Sequence, residues 1–156
     1  MKYIEPLLAV RNIETSKKFY SELFDQTVIL DLGKNVTLSG GFCLQEDFAG
    51  LIGLEPHAVL EKPNNMELYF EVDDFDAFIR LLQSHKDIKY VHQPLKHDWQ
   101  QRVVRIYDPD DHILEIGESM QIIARRFVLE GYSIEETAKI IQHPIEWVEM
   151  WCRPEA

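Results

Sequence analysis

One strand–cap–helix pattern occurs twice in this chain, and that repetition restricts the possible folds more than any other feature. Tyr3 to Val10 is an apolar, strand-like run ending in Arg11-Asn12-Ile13. Asn12 is a good N-cap, because its side-chain oxygen can accept a backbone N–H of the first helical turn. Ile13, Phe19, Tyr20, Leu23 and Phe24 then follow a helical stripe. Glu67 to Val72 again reads as a strand and ends in Asp73-Asp74-Phe75. Asp74 caps a helix whose apolar face is Phe75, Phe78, Ile79 and Leu82, spaced i, i+3, i+4, i+7. Glu5 aligns with Glu67, Val10 with Val72, Asn12 with Asp74 and Ile13 with Phe75, all at one constant offset. Strand, cap and helix start kept in step imply two copies of one supersecondary unit.

Further strand-like segments follow each helix: Thr27–Asp31, Asn35–Ser39 and Gly41–Glu46 in the first unit, Lys89–His92, Arg102–Tyr107 and His112–Gly117 in the second. Gly40-Gly41 and Asp108-Pro109-Asp110-Asp111 supply chain-reversing turns. Each unit reads β-α-β-β-β. Between them, Asp47–Asn65, with Gly50, Gly53, Pro56 and Pro63, reads as an irregular connection. After Gly117 the pattern turns helical. Ser119 caps a helix carrying Met120, Ile123, Ala124, Phe127 and Val128, which Gly131 ends. Ser133 with Glu136 makes a capping-box pattern for a helix with Ile134, Ala138 and Ile141. Pro144 suits the first turn of a last helix containing Trp147, Val148 and Trp151. A tail this apolar should dock on its own domain or on a partner subunit.

Composition narrows the function. A formal charge of −11 over 156 residues argues against a nucleic-acid partner, since phosphate contacts need a basic surface, and disfavours anionic membranes. No apolar run nears the roughly 20 residues of a membrane span, and Met1-Lys2-Tyr3-Ile4-Glu5 lacks the features of a signal peptide. Two cysteines, Cys43 and Cys152, give no disulfide framework; they read as buried thiols in a reducing cytoplasm.

Val10-Arg11-Asn12-Ile13 leading to Phe19-Tyr20, Tyr69-Phe70-Glu71-Val72-Asp73-Asp74, and Trp99-Gln100-Gln101-Arg102-Val103-Val104-Arg105 together resemble the glyoxalase/bleomycin-resistance/dioxygenase, or vicinal-oxygen-chelate, superfamily. The strongest likeness is Tyr107-Asp108-Pro109-Asp110-Asp111-His112-Ile113-Leu114-Glu115-Ile116-Gly117-Glu118. It is similar to the family's closing hairpin, Asp-Pro-Asp-Gly-(His/Asn) before a strand bearing a metal-binding glutamate. The resemblance covers about residues 3–118. It implies an α+β fold of paired βαβββ modules, about 3–54 and 66–118, forming a cupped mixed sheet. Residues 1–118 would be the glyoxalase-like domain, and 119–156 a C-terminal helical extension packed on it or on a dimer partner. A homodimer is the assembly the resemblance implies.

In that fold a metal is held by the first and last strands of each module. Period-2 alternation turns Ile4, Leu8 and Val10 toward the helix and Glu5, Leu7 and Ala9 into the cup. It likewise puts Glu67, Tyr69 and Glu71 inward on the fifth strand and Glu115 inward on the last, while Cys43 and Gln45 oppose Phe42 and Leu44. The four ligand positions thus read Glu5, Gln45, Glu67 and Glu115, where the family commonly has histidines at the first-strand positions. An all-oxygen set favours Mg²⁺, Mn²⁺ or Ca²⁺ over Zn²⁺ or Ni²⁺. Crowded carboxylates need compensation, from a divalent cation, a raised pKa or nearby arginines. Arg105 should share a face with Val103 and Tyr107, and Arg102 should point the other way.

Two functions compete. One is a divalent-metal-dependent lyase or isomerase with Glu67 or Glu115 as general base. The other is a non-catalytic small-molecule binder of the bleomycin-resistance type, taking a cationic or aromatic compound against Tyr69, Glu71, Trp99, Arg105 and Tyr107. Trp99 reads equally as a packed aromatic at a loop hinge. His92, His97 and His112 read as surface or turn residues. A ligand sensor with a helix-turn-helix-like tail, beginning Gly131-Tyr132-Ser133-Ile134, is the third reading. The tail's four basic residues (Arg125, Arg126, Lys139, Arg153) against six acidic ones (Glu130, Glu135, Glu136, Glu146, Glu149, Glu155) argue against it.

Overall fold

The computed structural model describes residues 1–153. Eight strands and six α-helices run in the order β1 (Leu7–Val10), α1 (Ile13–Phe24), β2 (Val28–Asp31), β3 (Asn35–Leu38), β4 (Phe42–Glu46), α2 (Phe48–Ile52), β5 (Glu67–Val72), α3 (Phe75–Ser84), β6 (Lys89–Lys96), β7 (Arg102–Tyr107), β8 (Ile113–Glu118), α4 (Met120–Leu129), α5 (Ile134–Ile141) and α6 (Ile145–Cys152). The strands form two four-stranded sheets of the same permuted order, β1-β4-β3-β2 and β5-β8-β7-β6. The sequence repeat is thus a repeat of topology. The chain is α+β and divides into two compact units. One is Met1–Glu67 with Tyr107–Ile113; the other is Leu68–Ile106 with the chain from Leu114 on.

In the first unit β1 runs parallel to β4, Leu7 opposite Cys43 and Val10 opposite Glu46, and β3 is antiparallel to both β4 and β2. The alternation read from sequence separates an apolar face from a more polar one, on which Thr37, Cys43 and Gln45 are buried too. Leu8, Val10, Val36, Leu38, Phe42 and Leu44 are buried, together with Ile13, Tyr20 and Leu23 of α1. Asn12 caps α1 by accepting the Thr15 N–H at 2.8 Å, as its residue type requires. Asp74 caps α3 in the same way through Ala77, and α3 buries Phe75, Phe78 and Leu82 in the second unit.

Five expectations are corrected. β1 begins at Leu7 rather than Tyr3, because Pro6 has no N–H for a ladder. Ile4, expected against the helix, is consequently exposed. The connection expected to be irregular holds α2 and a short 3-10 turn, Pro56–Ala58, with Gly53 ending α2 in the left-handed region at φ 72°. β6 runs on to Lys96 through Pro94, which the ladder tolerates because β6 is the last strand of its sheet. Pro144 stands at the N-cap of α6 and not inside its first turn.

The tail packs within the second unit. Met120, Ile123, Ala124, Ala138, Ile141 and Val148 make a core with Trp99, Phe127, Ile134 and Trp151 against it. The Ser119 N–H donates to the Val72 carbonyl at 3.0 Å, tying the start of α4 to β5. Ser133 and Glu136 form the reciprocal capping box that their spacing announced.

Candidate functional site

Glu5 lies beside β1 and beside the thiol of Cys43, one strand over. Cys43 Sγ donates to Glu5 Oε1 at 2.9 Å, and Thr37 Oγ1 lies 3.4 Å from the same oxygen. Burial and the bond to Glu5 push the Cys43 thiol up, against the opposing pull of Thr37, so it stays protonated as the donor. Gln45, on the same face of β4, has both ends of its amide engaged. Its Oε1 accepts from Asn35 Nδ2 at 2.9 Å, and its Nε2 donates to the Glu46 carbonyl at 2.7 Å.

The second sheet brings a different group together. Glu115 of β8 is buried, and the guanidinium of Arg105 on the neighbouring β7 lies against its Oε2. Arg105 Nη1 is also 3.2 Å from His92 Nε2 of β6. Arg102 points to the opposite face, where it lies over the Phe75 ring and pairs with Asp76 and Glu118. Arg102 thus points away from the Arg105–Glu115 pair, as the expectation for Arg102 had it.

A hydrogen-bonded chain runs beside the pair. Trp99 Nε1 donates to Gln101 Oε1 at 3.0 Å, Gln101 Nε2 to Tyr69 Oη at 2.6 Å, and Tyr69 Oη to Glu71 Oε1 at 2.7 Å. Half-burial and the bond to Glu71 push the Tyr69 phenol up to about 12. His97 stacks on the Trp99 indole with ring centroids 4.0 Å apart. Its Nε2 is buried with no hydrogen-bond partner among the described residues. Burial, then the charges of Arg105 and His92, hold this imidazole below its usual range, so it is neutral at pH 7. Gly117 makes room for the chain: a Cβ there would stand 2.5 Å from Gln101 Nε2 and 3.1 Å from Tyr69 Oη.

Tyr69, Glu71 and Trp99 are therefore connected, and Arg105 is joined to Glu115. Tyr107 lies in the first unit, its hydroxyl donating to Asn64 Oδ1 at 2.9 Å and Lys62 Nζ standing 4.5 Å above its ring. Glu67 opens β5 and is exposed. Among the described residues, no three His, Cys, Asp or Glu side chains are grouped to hold a metal ion. Sequence reasoning did not single out Gln101, and it read His92 and His97 as surface or turn residues, whereas His92 meets Arg105 and His97 stacks on Trp99. Gln101 carried a usable signal, since it has the parity of Val103 and Arg105. His92 and His97 did not, because the reach of β6 past Pro94 is a property of its edge position.

The turn between β7 and β8 is organised by Asp108, which is 1% exposed. Its carboxylate accepts from Tyr20 Oη at 2.8 Å, from the backbone of Asp110 and His112, and pairs with His112 Nδ1 at 2.9 Å. Asp111 stands at φ 64°, where the family hairpin has glycine.

Residues 3–121 match the family model described as the glyoxalase-like domain. A crystal structure of a protein of unknown function from Agrobacterium tumefaciens str. C58 is 34% identical, with a TM-score of 0.66, covering 77% of this chain and 95% of that one. Two more distant structures share the fold. A glyoxalase-related enzyme from Fulvimarina pelagi is 19% identical, with 76% and 89% of the two chains covered and a TM-score of 0.60. The genomically encoded fosfomycin resistance protein FosX from Listeria monocytogenes is 15% identical, with 77% and 94% covered and a TM-score of 0.59. No curated protein matches this chain. With the doubled β-α-β-β-β topology in place and the match running through both repeats, this chain belongs to the glyoxalase-like domain family.

Proposed function

We propose that this protein is a small-molecule binder of the glyoxalase-like family that holds its ligand with side chains rather than through a divalent metal. The observation that carries this reading is the pairing of Arg105 with Glu115. Glu115 occupies the family's metal-binding glutamate position, and an arginine supplies the positive charge that a metal would otherwise bring. Two of the other donors are engaged as well: Glu5 by Cys43, Gln45 at both ends of its amide. A divalent ion at Glu115 would have to displace Arg105, and one at Glu5 or Gln45 would have to break the bonds that hold those side chains.

The ligand class follows from the second unit. Tyr69 and Glu71 are exposed on the sheet, with an aromatic face beside a carboxylate, and Trp99 is joined to them through Gln101. That combination suits an aromatic or cationic compound, through stacking, cation–π attraction and charge. Neutral His97, whose buried Nε2 has no hydrogen-bond partner among the described residues, stacks on Trp99 and backs this aromatic wall.

The test is calorimetric titration of Mn²⁺, Mg²⁺, Ca²⁺, Ni²⁺ and Zn²⁺ into wild type and Glu115→Gln, beside a thermal-shift screen of aromatic and cationic compounds in chelator. Expected are no stoichiometric metal binding and chelator-resistant hits that Tyr69→Ala abolishes. Stoichiometric binding of a metal, lost in Glu115→Gln, would overturn the reading and restore a lyase or isomerase with Glu5, Gln45, Glu67 and Glu115 as ligands and Glu67 or Glu115 as base.

A further inference from the structure

A cleft of about 300 Å³ opens just past the carboxyl ends of the parallel strands β1 and β4, wholly within the first unit. None of Glu5, Gln45, Glu67 or Glu115 lines it, nor does any member of the Tyr69–Trp99 chain. Its apolar wall comes from buried Val10 and Ala49 and from Phe48, Pro56, Val59 and Leu60. The volume lies at the lower end of the roughly 300–1,000 Å³ of small-molecule sites.

The charges on the lining are largely compensated within the protein. Asp110 Oδ1 accepts from Arg11 Nε at 2.8 Å and from the Arg11 backbone N–H at 2.9 Å, and Ser16 Oγ donates to Oδ2 at 3.2 Å. The same guanidinium is tied down by the Pro109 carbonyl. Asp47 pairs with Lys34 at 2.8 Å. Glu61 remains, an exposed carboxylate whose field reaches Arg11. A charged ligand would thus compete with partners already in place.

His112 is different, because one of its nitrogens is unused. Nδ1 is turned inward to Asp108 Oδ2 at 2.9 Å. The Asp108 side chain is fully enclosed and is fixed in turn by Tyr20 Oη and by the backbone N–H groups of Asp110 and His112. A carboxylate only accepts, so Nδ1 carries a proton in both charge states of the ring. The ring meets the cleft with its opposite edge, where Nε2 has no partner among the described residues. Nε2 donates when the imidazole is protonated and accepts when it is neutral. The charged and titratable groups around it are Tyr20 of α1, Arg11 after β1, and Asp108, Asp110 and Asp111 of the hairpin. Burial lowers the imidazole pKa, but the bond to Asp108 and the charges of the three aspartates raise it above the ordinary 6.5.

We propose that this cleft is a second binding site, taking a small neutral ketone whose apolar body packs on Phe48, Val59 and Leu60 and whose oxygen accepts from His112 Nε2. The compensated lining gives a charged ligand no advantage, the apolar wall takes the body, and the anchored imidazole orients one acceptor. A ketone does not titrate, so a pH dependence of its binding reports on the protein. It binds when Nε2 carries a proton and is released as the imidazole becomes neutral and presents a lone pair to the ketone oxygen.

The probe is acetophenone, followed by methyl and amide NMR of the isotope-labelled protein at pH 5.5 and pH 9. Its comparators are α-methylstyrene, the same shape without the oxygen, and benzoate, its charged counterpart. Expected are saturable shifts at Val10, Ala49, Val59 and Leu60, with acetophenone bound about tenfold more tightly at pH 5.5 than at pH 9. α-Methylstyrene should bind more weakly than acetophenone at pH 5.5 and equally at both pH values, and benzoate no better than acetophenone. His112→Gln should remove the pH dependence, and Glu61→Gln should change affinity by less than about twofold. If His112→Gln does not fold, the wild-type midpoint decides, since it must coincide with the His112 titration seen in the same spectra. The proposal is overturned by an absence of saturable shifts at these residues, by pH-independent binding, by a pH dependence that survives His112→Gln or misses the His112 midpoint, or by tighter binding of benzoate. Shifts confined to Tyr69, Trp99 and Gln101 would also sink it while leaving the function proposed above intact.

Discussion

The guanidinium of Arg105 lies against the carboxylate of Glu115 across the adjacent strands β7 and β8. Both side chains are largely shielded, 24% and 10% exposed. Removing the arginine leaves a buried carboxylate without its cation, and the loss expected for Arg105→Ala is about 3 kcal/mol. The same variant frees Glu115 for other cations. Mn²⁺ affinity in Arg105→Ala should therefore exceed that of wild type by at least about tenfold, if one charged contact is exchanged for another. Urea denaturation with and without Mn²⁺ measures both effects, and Arg105→Lys, which keeps the charge, should show neither in full.

The Trp99–Gln101–Tyr69–Glu71 chain depends on a space that only glycine leaves. In Gly117→Ala the new methyl meets the Gln101 amide, which also donates to the Glu118 carbonyl at 3.0 Å and cannot swing away without breaking that bond. The indole N–H resonance of Trp99 should move in Gly117→Ala, while those of Trp147 and Trp151 stay in place. Gln101→Leu, which leaves a buried carbonyl and the Tyr69 and Trp99 groups without this partner, should cost about 2 kcal/mol by denaturant titration.

These two groups show what the sequence could and could not disclose. Period-2 alternation put Arg105, Glu115, Tyr69 and Glu71 on their faces, and the repeat carried over into a repeated strand order. Alternation does not specify which neighbour a side chain will meet. That depends on register between strands, and Arg105 meeting Glu115 is a consequence of the β7–β8 pairing. Cys43 illustrates the same limit: its face was readable, but its bond to Glu5 arises from Glu5 lying ahead of a strand that starts only at Leu7. The helix α2 was illegible for another reason. Five residues containing Gly50 carry too little periodicity to stand out from a loop.

His112 should give the protein a pH-dependent stability in the neutral range. Burial by itself would lower its pKa, but the bond to Asp108 and the charges of Asp108, Asp110 and Asp111 outweigh that and raise it above the ordinary 6.5. A histidine raised in the folded state contributes stability fully below its unfolded pKa and loses it as pH rises through the folded value. The stability difference between wild type and His112→Gln should accordingly be largest near pH 5.5 and shrink toward pH 8. Urea titrations across that range test it; a difference growing with pH would show that the imidazole is held neutral instead.

Glu118 is the acid-side counterpart. Its buried carboxylate accepts from Arg102 at 3.0 and 3.2 Å and from Arg126 of α4 at 2.9 Å, joining the end of β8 to the helical tail. Burial pushes its pKa up, yet the two arginines outweigh burial and leave it below the usual 4.5. A carboxylate depressed in this way stabilises the fold above its unfolded pKa, and the contribution disappears as pH falls through the folded value. Since Arg102 and Arg126 are 34% and 41% exposed, water screens part of the attraction, and Glu118→Gln should cost about 2 kcal/mol at pH 7. The penalty should fade as pH falls below 4.5 and through the folded value, where wild type carries a neutral acid too. Because Arg126 sits on α4, hydrogen exchange should show the loss first in α4 and in its partners α5 and α6. Uniform loosening of the whole chain would mean that the clamp acts on global stability rather than on docking of the tail.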